Sequence, residues 1–195
     1  MELPIHIKFA ALGPDAQMPH LVIAQEYSHM GGKEILSVKY PDLMKEIVDV
    51  LTNTLIPPAS KVSKEKTKPG KVVWSGNDFN IPLRKAFQSA GWEKRRLDLE
   101  YGEFKGFIEG DFHKERVGLE VQFGKYFAVD TDFMKFEIFH NKGLIDLCVE
   151  IVPSSELHKS MYTGPPHFDQ VISRIQAKGR NNPAVPIWII GVNVT

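Results

Sequence analysis

Cysteine is nearly absent from this chain of 195 residues, which carries only Cys148. One cysteine cannot form an internal disulfide, so a disulfide framework is excluded. The chain also lacks a run of about 18 apolar residues, the length that a membrane-spanning helix needs. Its N-terminus lacks the basic and apolar segments of a secretion signal. These absences predict a protein without a membrane segment that works in a reducing, cytoplasmic setting.

The chain also lacks an excess of positive or negative charge. The 24 lysines and arginines balance 24 aspartates and glutamates, which gives a formal net charge of zero. Overall neutrality argues against nonspecific coating of a polyanion, but it leaves room for a basic groove on one face. Hydrophobic residues make up 43% of the chain and charged residues 25%, which argues against disorder over the whole length. The length fits one domain over residues 1–195, with residues 1–21 as an N-terminal extension.

Apolar periodicity predicts an α/β protein in which strands and helices alternate. Leu43, Ile47 and Leu51 recur at helical spacing after Pro41, and Pro57 follows the end of that pattern. Further helices are predicted from Asn80 to Gly91, from about Thr131 to His140, and over residues 168–178. Strands are predicted at residues 21–24, 34–40, 104–111, 117–123, 145–152 and 186–192.

Residues 60–71 form the most basic stretch of the chain. They concentrate lysine with a single acid and show no apolar periodicity. The stretch cannot bury much surface, so it is predicted to be an exposed and mobile loop. Such a loop could close over DNA, or it could simply be solvated.

The segment 117–123 carries the chemistry that stands out. Its odd positions are apolar, so period-two alternation turns them toward a core and leaves Glu120 and Gln122 together on the opposite face. A polar turn at residues 113–116 could join this strand to the segment 104–111 and so bring Asp111 beside Glu120. Two carboxylates in that arrangement suit a partly hydrated magnesium ion against a phosphate. On spacing alone, a solvated sheet face is the commoner explanation.

Residues 116–126, preceded by Asp111 and Phe112, resemble type II restriction endonucleases of the BglII/BstYI group. This group lies within the PD-(D/E)XK nuclease superfamily and has glutamine where the superfamily has a lysine. Gln122 occupies that position here. Further agreements follow in the same order along the chain, at residues 26–29, 63–68, 91–92, 149–153, 179–180 and 183–186.

The resemblance implies a restriction-endonuclease-like core with a central mixed sheet flanked by helices. It implies a homodimer that clasps double-stranded DNA and hydrolyses both strands of a short palindrome, and the target sites of the group centre on GATC. Asp111, Glu120 and Gln122 would be catalytic, and Mg²⁺ would be held by Asp111, Glu120 and the carbonyl group of Val121. A neutral amide at Gln122 can orient the attacking water but cannot act as its base. A cognate DNA methyltransferase is implied as a functional partner.

Several polar residues are candidates for contacts with DNA. Lys125 and Tyr126 follow the strand that carries Glu120. The others lie on the predicted helix 168–178 or just after it, namely Ser173, Arg174, Lys178, Arg180 and Asn181. Cations and amides suit phosphates and base edges. Cations are also favoured at any helix C-terminus, so an ordinary surface explains these positions equally well.

Two other functions remain open from the sequence. The chain could be a DNA-binding module that keeps the nuclease fold without cutting, although Asp111, Glu120 and Gln122 are all present. It could also be a repair nuclease of the same superfamily that selects branched or damaged DNA. Cleavage of a fixed duplex sequence would distinguish the restriction enzyme from both.

Overall fold

The computed structural model describes residues 18–179 and 181–195, so most of the predicted N-terminal extension lies outside the described residues. Eight strands are present among the described residues: β1 Leu21–His29, β2 Lys61–Val62, β3 Val72–Val73, β4 Glu93–Tyr101, β5 Phe104–Lys114, β6 Val117–Val121, β7 Leu147–Pro153 and β8 Ile187–Val194. Six helices accompany them there: α1 Gly32–Lys39, α2 Pro41–Asn53, α3 Asn77–Ser89, α4 Ala128–Asn141, α5 Ser155–Lys159 and α6 Phe168–Lys178.

Six of these strands form one sheet in the order β1-β8-β7-β6-β5-β4, and β2 pairs with β3 in a separate ribbon. The three central strands β8, β7 and β6 are parallel. The flanking pairs are antiparallel, so the sheet is mixed. This architecture confirms the predicted α/β fold with a central mixed sheet flanked by helices.

The two faces of the sheet bury different helices. One face packs against α1, α2, α3 and α5 and contains Leu119 and Val149 among its core residues. The other face packs against α4 and α6 and contains Cys148, which alternates with Val149 along β7. Each central strand is therefore covered on both sides, which explains why β6 and β7 are buried at every position.

The predicted strand at residues 34–40 is wrong, because these residues form helix α1. The apolar residues here do not share one face, since Leu36 is fully buried whereas Val38 is 84% exposed. The helix starts against the neighbouring strand β8, where a Cβ atom on Gly32 would come within 2.4 Å of the Ile187 backbone. A contact between residues so distant in sequence leaves no local pattern.

The remaining helices and strands agree with the predictions except at their ends. Helix α3 begins at Asn77, so Asn80 lies inside it, and helix α4 begins three residues before Thr131. Strands β2, β3 and β4 and the short helix α5 were not predicted. None of the helices in the described ranges combines the length and the apolar character that a membrane crossing requires.

The basic stretch 60–71 is mostly exposed, as predicted, but it is tied down at several points. Its first residues pair with β3 as strand β2. Lys68 Nζ donates to the carbonyl oxygen of Met161 at 2.6 Å, and Glu65 accepts hydrogen bonds from the backbone and hydroxyl groups of Thr163. At least one lysine of this stretch, Lys68, therefore makes a contact within the fold.

Candidate active site

The hairpin of β5 and β6 brings Asp111 and Glu120 together. The strands are antiparallel with Phe112 opposite Leu119, so the next pair outward is Asp111 and Glu120. The backbone N–H of Asp111 donates to Glu120 Oε1 at 3.1 Å. The predicted proximity of the two acids is confirmed, although β5 runs on to Lys114 and shortens the predicted turn.

Glu120 lies in a buried cluster of acids that also includes Asp132 from α4 and Glu150 from β7. All three residues are at most 3% exposed. Glu150 is the neighbour of Glu120 in the parallel ladder of β6 and β7. The cation of the cluster comes from Lys135, whose Nζ lies 2.6 Å from Glu120 Oε1 and 2.7 Å from Asp132 Oδ1.

Burial and mutual repulsion govern the charges of this cluster. Burial raises the pKa of Glu120 well above its ordinary value, and the carboxylates of Asp132 and Asp111 raise it further against the opposing effect of Lys135. Burial likewise raises the pKa of Asp132, while Lys135 and Gln122 oppose the shift. Burial acts to lower the pKa of Lys135, but Glu120 and Asp132 outweigh it, so this pKa ends above its ordinary value. Lys135 is therefore charged at neutral pH.

Glu150 differs from the other acids in lacking a partner. Neither of its carboxyl oxygens has a hydrogen-bond partner among the described residues, and its side chain is fully buried. Burial raises the pKa of Glu150 well above its ordinary value, with a further contribution from Asp132 and Glu120. Burying a carboxylate without a cation costs more free energy than burying the neutral acid, so the fold favours the protonated form of Glu150.

Gln122 is held at both ends of its amide. Its Nε2 atom donates to Asp132 Oδ2 at 2.7 Å, and its Oε1 atom accepts from the backbone N–H of Gly124 at 3.0 Å. An amide nitrogen carries two hydrogens, so one N–H remains for a water. The predicted role of Gln122 in orienting the attacking water stays a prediction.

The donors predicted for a metal near Asp111 are oxygen atoms, which are the ligands that hard divalent cations take. The described ranges bring no three His, Cys, Asp or Glu side chains onto one metal position. The predicted donors are instead two carboxylates and the carbonyl group of Val121, a set that Mg²⁺ typically completes with water and phosphate oxygens. Glu120 Oε1 already accepts from Asp111 and Lys135, which leaves Oε2 for a metal.

Four of the predicted DNA contacts lie together near the start of α4. Arg174 donates from Nη1 to the carbonyl oxygen of Tyr126 at 3.0 Å and to Asp130 Oδ2 at 3.1 Å. Lys178 donates to the other oxygen of Asp130 at 2.8 Å. Lys125 lies next to Tyr126 and is exposed. We call Lys125, Tyr126, Arg174 and Lys178 the basic patch.

The other predicted DNA contacts are less closely grouped. Ser173 is exposed on α6 and donates to the carbonyl oxygen of Asp169. Asn181 lies beyond α6, where it lines a cleft of about 400 Å³ together with Tyr27 and His29. Arg180 lies outside the described residues.

Sequence reasoning missed Asp132, Lys135 and Glu150. Asp132 looked like one of the acids that favour a helix start, and its spacing of three residues from Lys135 is common on solvated helices. Glu150 carried a usable signal, because an acid inside an otherwise apolar strand is a buried polar group that needs an explanation. Nothing local could show that all three meet Glu120.

Comparisons with known proteins agree with the observed fold. The family model described as restriction endonuclease BglII/BglIII matches residues 24–192. A crystal structure of restriction endonuclease BglII complexed with a DNA 16-mer superposes with a TM-score of 0.66 at 20% sequence identity, covering 88% of this chain and 77% of the other. No curated protein sequence matches the chain.

Proposed function

Because this chain belongs to the BglII/BglIII family of restriction endonucleases, we propose that it cuts both strands of a short palindromic DNA site with Mg²⁺ held between Asp111 and Glu120. Family membership makes it a sequence-specific type II restriction endonuclease, an enzyme that binds DNA and needs a divalent metal. The observation that carries the assignment of the site is the contact between Asp111 and Glu120 across the β5–β6 hairpin. Mg²⁺ as the metal and the roles of single residues belong to the proposal.

In phosphodiester hydrolysis the residues of the site would have two roles, namely holding the metal and orienting the attacking water. A divalent ion supplies a Lewis acid for the scissile phosphate and lowers the pKa of an attacking water. Asp111, Glu120 Oε2 and the carbonyl group of Val121 would hold that ion. Gln122 would orient the water through its remaining amide N–H but cannot accept the proton, so the proton passes to solvent or to a phosphate oxygen.

The basic patch would contact the phosphates that flank the cut. Its cations can pair with phosphate oxygens, and the exposed ring of Tyr126 lies beside them. Arg174 and Lys178 share Asp130 in the free protein, so DNA phosphate would compete with that carboxylate. Ser173 and Asn181 would make further contacts with DNA, and Arg180, which lies outside the described residues, stays a predicted contact.

A homodimer is the assembly that suits the reaction, since a two-fold protein matches a two-fold site. Phe127 and Met134, at the start and on the surface of α4, are 54% and 47% exposed. Large exposed apolar side chains next to a DNA-facing region are candidates for a subunit contact. We further propose a target centred on GATC, a methyltransferase that protects the same site in host DNA, and a cytoplasmic location.

Digestion of unmethylated phage DNA with Mg²⁺, followed by sequencing of every new end, tests this function. Discrete ends that share one palindromic motif are expected, and Asp111→Asn run in parallel should give none. Ends without a common motif, or ends confined to branched DNA, would contradict a restriction enzyme. Intact DNA with both Mg²⁺ and Mn²⁺ would favour a module that binds without cutting.

A further inference from the structure

We propose that Lys135 is a positioning residue of the cleavage site, and that its ammonium group fixes Glu120 directly and Gln122 through Asp132. This inference deepens the proposed function and rests on it. Lys135 was not among the residues that the sequence singled out. It reaches the site from α4, whereas Glu120 and Gln122 belong to β6 and the loop that follows.

The first half of the argument concerns Glu120. Its Oε1 atom accepts from Lys135 Nζ at 2.6 Å and from the backbone N–H of Asp111 at 3.1 Å. Two donors on one oxygen hold the carboxylate in a single orientation. The other oxygen, Oε2, is thereby left for the metal, and Lys135 and the metal can act on Glu120 together.

The second half concerns Gln122. Lys135 holds Asp132 Oδ1 at 2.7 Å, and Asp132 Oδ2 accepts from Gln122 Nε2 at 2.7 Å. The far end of the Gln122 amide is fixed by the backbone of Gly124. A continuous series of contacts therefore runs from Glu120 through Lys135 and Asp132 to Gln122, so one ammonium group sets both a metal ligand and the amide beside it.

Burial makes this arrangement different from an ordinary surface ion pair. The side chain of Lys135 is 13% exposed, and those of Glu120 and Asp132 are 3% and 5% exposed. Exposed pairs are screened by water and hold their side chains loosely. Without a cation the carboxylates of Glu120 and Asp132 would repel each other, and the neutral amide of Gln122 cannot offset that repulsion. Lys135 therefore holds the two carboxylates close together before a metal binds.

The test measures cleavage of the motif found by end sequencing, with the full chain and saturating Mg²⁺. Lys135→Met keeps an unbranched, flexible side chain that is one heavy atom shorter, and it removes the charge. We expect kcat to fall by about 10–100-fold, the usual cost of losing a group that orients a metal ligand, with KM for DNA within about threefold of wild type. Lys142→Met is the matched control, because Lys142 is exposed at the C-terminal end of the same helix, and it should cleave like wild type.

Wild-type kcat in Lys135→Met, or a loss that lies wholly in KM, would overturn the proposal. If Lys135→Met does not fold, the double variant Asp132→Asn/Lys135→Met removes one acid with the cation and restores the charge balance. That variant should fold and still cleave slowly, and wild-type cleavage by it would equally overturn the proposal. Failure of the proposed function would appear in the wild-type protein, which would then cut no DNA. Failure of the Lys135 proposal would appear only in the variants, so the two failures are distinguishable.

Discussion

Glu120 and Glu150 lie side by side on the parallel strands β6 and β7, and both are almost completely buried. Glu120 accepts hydrogen bonds from Lys135 and Asp111, whereas Glu150 has no partner among the described residues. The two adjacent glutamates therefore have different surroundings, because Lys135 contacts only Glu120. Burial raises the pKa of both carboxyl groups, but only Glu120 has a cation that opposes this shift through a direct contact.

Replacement of Glu150 by glutamine tests its neutral state through the pH dependence of stability. The folded protein keeps Glu150 protonated, whereas the unfolded chain ionises it above its ordinary pKa of 4.5. Folding then takes up a proton, so this residue lowers the free energy of unfolding as pH rises, by at most about 1.4 kcal/mol per pH unit until the folded pKa is passed. In urea denaturation without metal, the free energy of unfolding of Glu150→Gln should equal that of wild type at about pH 4 and exceed it at about pH 8. If the difference in free energy of unfolding between variant and wild type were the same at both pH values, Glu150 would be charged in the folded protein.

Replacement of Asp111 by asparagine should separate cutting from binding. Asp111→Asn keeps the shape of the side chain and removes the charge that we propose holds the metal, so the cleavage rate should fall by about 10²–10³-fold or more. Binding of the target DNA without a divalent metal, measured by gel shift, should be equal or tighter because one negative charge beside the phosphate is gone. Cleavage at the wild-type rate would place the active site elsewhere.

Replacement of Asp146 by asparagine should destabilise the fold. Asp146 accepts hydrogen bonds from Arg116, Lys39 and Tyr40, and these partners, Arg116 foremost, hold the pKa of Asp146 well below its ordinary value. A carboxyl group with a lowered pKa stabilises the fold above the pKa of the unfolded chain, and this stability is lost as pH falls. Since the partners are partly solvated, we expect Asp146→Asn to cost about 1 kcal/mol at neutral pH and less in acid.

A matched variant controls for simple loss of an acid. Asp49 pairs with Lys45 on the surface of α2, where the two side chains are 50% and 77% exposed. Asp49→Asn should change the free energy of unfolding by less than about 0.5 kcal/mol. Equal losses in both variants would mean that the Asp146 contacts are no stronger than a surface pair.

Replacement of Asp130 by asparagine should strengthen DNA binding. Asp130 neutralises Arg174 and Lys178 in the free protein, so its removal frees both cations for phosphate. Binding measured against salt concentration should tighten in Asp130→Asn, whereas Arg174→Gln should weaken it and reduce the salt slope by about one. Lys45→Gln, on the opposite side of the sheet, should change neither quantity.

The sequence by itself determined the part of the site that is local. Alternation along β6 decides which face carries Glu120, and a short hairpin suffices to bring Asp111 beside it, since only nine positions separate the two residues. The mixed sheet and its flanking helices also followed from apolar periodicity and the resemblance. Such features depend on neighbours in the chain, which a pattern of residue types records.

Only the tertiary structure decided the rest of the cluster. Lys135 and Asp132 reach Glu120 because α4 packs over the sheet, and Glu150 does so because β7 pairs beside β6. Tertiary packing also explains why the predicted strand at residues 34–40 was wrong. Helix α1 forms there instead, and its first residue, Gly32, packs closely against strand β8. Packing decides which side chains meet in the buried interior, and burial there shifts their pKa values. Neither the contacts nor the shifts could be inferred from spacing along the chain.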